Sequence, residues 1–229
     1  MLSCQEEDSM PTRAPLDRRA VVTAALALLN REGIDGLTLR SLARDLSVQA
    51  PALYWHFKNK QELLDEMATQ VFREGFEQLG IPPGDLRWQD WCRQLALAER
   101  NLLLRYRDGA RMFSGTYLTD PTMYAPMEAS LHKLTADGFS LASALNAMST
   151  IHCYVVGFTI EEQAVWPNPG KRDDRYAPEK RAERLDPNRF PLTIKAGEEL
   201  FATPGHRFER GLEAILCGLE VLRQSKREI

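Results

Sequence analysis

The run VQAPALYWHFKN, Val48 to Asn59, places Tyr54, Trp55, His56 and Phe57 side by side with Lys58 directly after them. In a helix successive side chains point about 100° apart, so four consecutive rings cannot all face one core and some must project outward. Leu53 and Phe57 stand at i and i+4 and can both turn inward, which sends Tyr54 and His56 outward and leaves Trp55 free to take either side. Pro51 is tolerated only in a first turn, where its missing N–H is not needed, so a short helix begins just before it. Rings that merely seal a helix corner fit the same pattern.

Upstream, Thr38 is placed to cap LRSLARDL, in which Leu39, Leu42, Ala43 and Leu46 fall at i, i+3, i+4 and i+7. Before it, Asp17 is an N-cap for RRAVVTAALALLNREG, with Val22, Ala25, Leu26 and Leu29 on one face and Gly33 as the stop. A tight break at Ser47 separates the second helix from the third. Small Ala43 allows close crossing, and Val48 and Leu53 fill the crevice. Three short helices with such a turn make a helix-turn-helix. The free surface of its third helix then carries Gln49, Pro51, Ala52, Tyr54, Trp55 and His56, groups suited to phosphates, base edges or thymine methyls.

The chain has 229 residues, a hydrophobic fraction of 44% and a formal net charge of −3, which argues against a generic nucleic-acid coat. From Met10 to Lys60, however, eight basic side chains stand against four acidic ones, so the positive excess is local and N-terminal. Cys4, Cys92, Cys153 and Cys217 lie far apart, without CxxC or Cys/His spacing, and fit a reducing, cytoplasmic setting rather than a zinc site or disulfide scaffold. The first fifteen residues lack the basic-then-apolar order of a signal peptide and read as a disordered leader, with Met10 as an alternative start.

Asn59 is expected to cap KQELLDEMATQVFREGFEQLG, a long helix ending near Gly80. WQDWCRQLALAERNLLLRYRDGA and parts of PTMYAPMEASLHKLTADG read as further helices. FSLASALNAMSTIHCYVVGFTI, Phe139 to Ile160, has no formal charge and nearly the length of a membrane span. Asn146, Ser149, Thr150 and His152 recur through it without a basic flank, so it reads as a helix held between protein neighbours, with no membrane partner. VWPNPGKRDDRYAPEKRAERLDPNRFP reads as a mobile loop, and FERGLEAILCGLEVLRQ as a closing amphipathic helix. The fold class is all-α, divided into a helix-turn-helix domain over 16–62 and a helical effector-binding and dimerisation domain over 63–229.

GIDGLTLRSLARDLSVQAPALYWHFKNKQELLD resembles the DNA-binding domain of the tetracycline repressor (TetR) family, in which a TxxxLA run precedes LYxHFxxKxxLL. LLLRYRDGARMFSGT, followed by GFSL and EEQA, resembles the core of the tetracycline-repressor-like branch of that family. Ser47 departs from the glycine such turns often carry. The resemblance implies that Arg40, Gln49, Pro51 and Ala52 lie at the groove, Arg40 able to hold a guanine by O6 and N7, while Tyr54, His56 and Lys60 hold phosphates. It further implies a homodimer on palindromic double-stranded operator DNA, with the helix from Leu141 to Gln163 and the helix from Glu209 to Arg223 forming a four-helix interface.

Drug-binding members of that branch hold a magnesium chelate through a histidine. The alignment puts Phe113 at that position, which cannot ligate a metal, and retains only Glu161. Phe76 stands where a histidine is expected, Leu95 where an asparagine is, and Ser130 where a glutamine is. The effector is therefore expected to be a small, largely apolar, aromatic molecule bound without metal or cofactor, lined by Phe76, Leu95, Phe113, Thr116, His152 and Glu161. Aromatics at helical spacing also fill solid cores, and His152 alone reads as a hydrogen-bonded core histidine. No nucleophile motif, phosphate loop or metal-ligand spacing supports an enzyme. A helical small-molecule-binding or adaptor protein without DNA binding is the alternative.

Overall fold

A computed structural model of the chain describes residues 17–80, 83–167, 170–201 and 203–225, with the backbone alone at 78, 79 and 181. The leader read over residues 1–15 lies outside them. The described residues form eleven α-helices and two short 3-10 turns.

Helix α1 spans Arg18–Gly36 and begins on Asp17, whose carboxylate accepts from Ala20 N at 2.6 Å. It breaks inside its last turn at Gly33, where φ is +74°. Helix α2, Leu39–Asp45, opens on a reciprocal capping box between Thr38 and Ser41. Ser47 then takes a left-handed φ of +53°, the conformation that glycine adopts without penalty, so the glycine-like turn is kept by a serine. Helix α3, Ala50–Tyr54, carries Pro51 in its first turn. Leu42, Leu53 and Phe57 are fully buried between these helices.

Helix α4, Lys60–Leu79, is capped by Asn59 and ends at Gly80, as its signals imply. It runs unbroken through the 62/63 boundary expected from sequence, so no break in secondary structure marks that boundary. Helix α5 spans Trp88–Leu104, α6 Gly109–Phe113, α7 Tyr124–Ala136 and α8 Leu141–Val165. The sequence suggested one helix through α5 and α6. The chain instead reverses at Arg105–Asp108, where Asp108 has a φ of +55° and its carboxylate accepts from Ile34 N of α1. Gly109 is required there: a Cβ would lie 2.1 Å from the Leu103 carbonyl oxygen.

The segment expected to be a mobile loop, Val165 to Pro191, holds a 3-10 turn at Asp174–Tyr176 and α9 at Pro178–Glu183, and α10, Pro191–Leu200, begins on its last residue. Pro178 and Pro191 each start a helix, Asp173 accepts from Arg175 N, and the Tyr176 ring packs on Phe201. Helix α11, Pro204–Gln224, closes the chain.

Helix α8 is the one helix among the described residues long and apolar enough to cross a membrane by length and composition. One face buries Ala144, Ala147, Ile151, Val155 and Val156 against the protein body. Leu141 and Leu145 of α8 stay exposed, Leu145 at the lining of a cavity, and α11 exposes Val221 and Leu222. Between the two helices the Tyr154 hydroxyl donates to Phe208 O.

Candidate nucleic-acid interface and effector cavity

The four rings divide as helix geometry demands. Phe57 is fully buried beneath the Arg18 guanidinium, whereas Tyr54 is 51% and Trp55 90% exposed. A tryptophan so exposed contributes little to the fold that holds it, and with Tyr54 it leaves two adjacent rings open to solvent. Arg40, Gln49 and Pro51 are exposed beside it, and Ala52 and His56 are half-buried. The His56 carbonyl accepts from Arg18 Nη1 at 2.6 Å, which ties the end of α3 to α1. Lys60 is placed differently from the rest: its ammonium donates to Ile34 O, holding the start of α4 to the end of α1 rather than standing free at the edge. Arg19, Arg40, Arg44 and Lys58 are exposed and form no ion pair among the described residues.

Below this head, α4, α5, α7 and α8 enclose a cavity of about 290 Å³. Phe76 and Leu95 line it, with His152 at its rim and Met123, Met127 and Met148 completing an adaptable apolar wall. Phe76 stacks on Phe72, whose ring lies 3.9 Å from that of Phe113. Phe113 therefore backs the wall from the core and does not line it. Thr116 turns its hydroxyl to Phe113 O, and Glu161 is exposed on α8, so neither comes to the cavity. Ser130 does line it, but its hydroxyl already accepts from Trp91 Nε1 and donates to Pro126 O.

The residue that sequence reasoning missed is Glu99. It lines the cavity with Oε1 at 2.7 Å from His152 Nδ1, and this hydrogen bond raises the His152 pKa above its ordinary value. A signal was present: Cys92, Leu95, Ala96, Glu99 and Leu102 fall at helical spacing on one apolar stripe, and a carboxylate there is anomalous. Burial pushes the Cys92 thiol up to about 12, so it stays protonated and unreactive. Among the described residues no group of three His, Cys, Asp or Glu side chains is placed to hold a metal ion.

Cavity and head are joined by the α5–α6 turn. Asp108 Oδ2 accepts from Ile34 N at 2.9 Å, Arg107 N donates to Asn30 Oδ1 at 2.9 Å, and Arg107 Nη1 donates to Arg31 O at 2.8 Å. Arg111 pairs with Asp35 at 3.3 Å. From the other side Gln163 of α8 clasps the same turn, donating to Leu103 O and Tyr106 O and accepting from Ala110 N. The turn thus bonds directly to the end of α1. Gly33 is needed at this joint, since a Cβ there would lie 2.8 Å from Asp108 Oδ2.

A crossed pair of short helices with an exposed aromatic and polar edge, clasped to a hollow helical body, defines the class of DNA-binding regulators that carry their own sensor domain. Comparison with known proteins gives the family. Residues 21–67 match "Bacterial regulatory proteins, tetR family", and residues 82–223 match "Tetracyclin repressor-like, C-terminal domain". The chain belongs to the TetR family of bacterial transcriptional regulators. It is 38% identical over 209 residues to the class D tetracycline repressor protein of Escherichia coli, covering 91% of each chain. Among solved structures it is similar to a possible TetR family regulator from Streptomyces coelicolor A3(2), with TM-score 0.77, 35% identity and coverage of 90% of this chain and 100% of that one. It is also similar to a TetR variant from Acinetobacter baumannii AYE in complex with minocycline, with TM-score 0.69, 33% identity and coverage of 91% and 98%.

Proposed function

We propose that the protein is a cytoplasmic homodimeric repressor that holds a palindromic operator through Arg40 and the Gln49–His56 edge and leaves it when a small, largely apolar molecule fills the cavity without metal. The observation that carries this reading is the cavity wall. Phe76, Leu95 and Ser130 stand where the drug-binding members place side chains that grip a drug, and the first two offer no polar group. The exposed apolar residues of α8 and α11 supply the twofold interface, and an exposed tryptophan beside unpaired arginines supplies the grip on DNA.

Release follows from differential affinity. The free dimer keeps its heads at the spacing of successive major grooves, and the effector favours a state with another spacing. Moving that equilibrium from 1:99 to 99:1 takes about 5.5 kcal/mol of preference. Filling the cavity displaces the Phe72–Phe113 contact and with it the turn that clasps α1.

Two measurements test this. Calorimetry with tetracycline and magnesium is expected to give no tight, metal-dependent binding; nanomolar binding abolished by a chelator would overturn the metal-free reading. Asp108→Ala, which removes the acceptor from Ile34 N, is expected to leave cavity binding within about threefold while reducing effector-driven loss of DNA affinity roughly fivefold or more. Full release by effector in that variant would place the coupling elsewhere.

A further inference from the structure

Four titratable side chains line the cavity: Cys92 and Glu99 from α5, Tyr124 from α7 and His152 from α8. Cys92 stays a thiol and Tyr124 lies half-exposed at the rim. That leaves Glu99 and His152, which engage each other through one atom apiece, Oε1 and Nδ1. The Glu99 side chain is 16% exposed and that of His152 49%. Among the described residues Glu99 Oε2 and His152 Nε2 make no hydrogen bond to another protein group, in a cavity whose remaining wall is almost wholly carbon.

Resting on the cavity reading above, we propose that the Glu99–His152 pair selects effectors bearing a neutral hydroxyl on a planar apolar frame, of the phenol or enol class, over bare hydrocarbons and over carboxylates. An imidazolium Nε2–H donates and a carboxylate Oε2 accepts, so together they match a group that can both accept and donate, as a hydroxyl does. A carboxylate ligand could accept from Nε2–H but would face the Glu99 charge across a low-dielectric space. A hydrocarbon would give neither polar atom a partner, and it is the more deeply buried Glu99 that would lose water without compensation. The pair carries no net charge while His152 is protonated, so neither sign of ligand charge gains from it.

The Glu99 hydrogen bond raises the His152 pKa above its ordinary value, so the imidazolium persists to higher pH than in a free histidine and is lost as pH rises through the raised value. Above it Nε2 becomes an acceptor like Oε2, and a hydroxyl can satisfy only one of them.

The test is equilibrium binding of 2-naphthol, naphthalene and 2-naphthoate to the full chain at pH 6 and pH 9. At pH 6 2-naphthol is expected to bind roughly tenfold more tightly than either of the others, and at pH 9 its advantage over naphthalene is expected to shrink to about threefold or less. Glu99→Leu is expected to bring 2-naphthol and naphthalene within about twofold while still binding naphthalene. Equal binding of 2-naphthol and naphthalene by the unaltered protein at pH 6, or tighter binding of 2-naphthoate, would overturn the proposal and leave the cavity reading intact. Failure of all three probes to bind would instead remove the cavity reading itself.

Discussion

Replacing Arg100 by leucine is expected to destabilise the protein by about 3–5 kcal/mol, lowering Tm by roughly 6–20 °C at fixed protein concentration. Arg100 of α5 donates to both oxygens of Glu162 of α8, at 2.8 and 2.6 Å, and its guanidinium lies 5.0 Å from the Phe208 ring of α11. The two side chains are 12% and 7% exposed, so three helices meet on an ion pair largely withdrawn from water. Removing one partner strands a carboxylate, and the penalty is the desolvation of that group rather than the net worth of the pair. For that reason Arg100→Leu with Glu162→Leu is expected to recover most of the loss. Thermal unfolding of the two variants beside the unaltered protein checks this, and a double variant no more stable than the single one would mean that the pair does more than neutralise itself.

The largest effect on function is expected from salt. Raising it from 50 to 200 mM is expected to weaken operator binding by about 10³–10⁵-fold, as six to ten phosphate contacts require. Arg19, Arg40, Arg44 and Lys58 give each head four exposed cations outside any described ion pair, and two heads bring eight to one duplex. Lys60 is counted apart from these four, because one of its three ammonium N–H groups is given to Ile34 O. Arg40→Ala should cost about 1–3 kcal/mol per half-site and relax the preference for guanine there, which a phosphate-only contact would not do. Gel shifts over a salt series, with matched and substituted half-sites, separate these roles. A slope near zero would remove the phosphate grip.

Local signals made the head legible. Asp17, Thr38 and Asn59 cap the helices they precede, Pro51 starts α3, and the i,i+4 pair Leu53 and Phe57 turns inward. Each of these depends on residues within about one helical turn. What stayed hidden was decided at long range. The Asp108 reversal depends on Ile34, 74 positions away, and the Glu99–His152 pair joins residues 53 apart. Helix α9, PEKRAE, has no large apolar residue to announce it, and both α9 and α10 start on a proline. Phe113, Thr116 and Glu161 were placed at the cavity through alignment with drug-binding relatives, and alignment fixes a position along the chain without fixing which neighbour its side chain meets.

The central claim, that the crossed helices α2 and α3 grip duplex DNA as a twofold pair, is tested most directly by selection of random duplexes with the full chain at low ionic strength. The expected result is enrichment of an inverted repeat with half-sites about 34–36 Å apart, lost when Tyr54 and Trp55 are both replaced by alanine. Enrichment of no sequence, or equal binding by the doubly substituted protein, would contradict it.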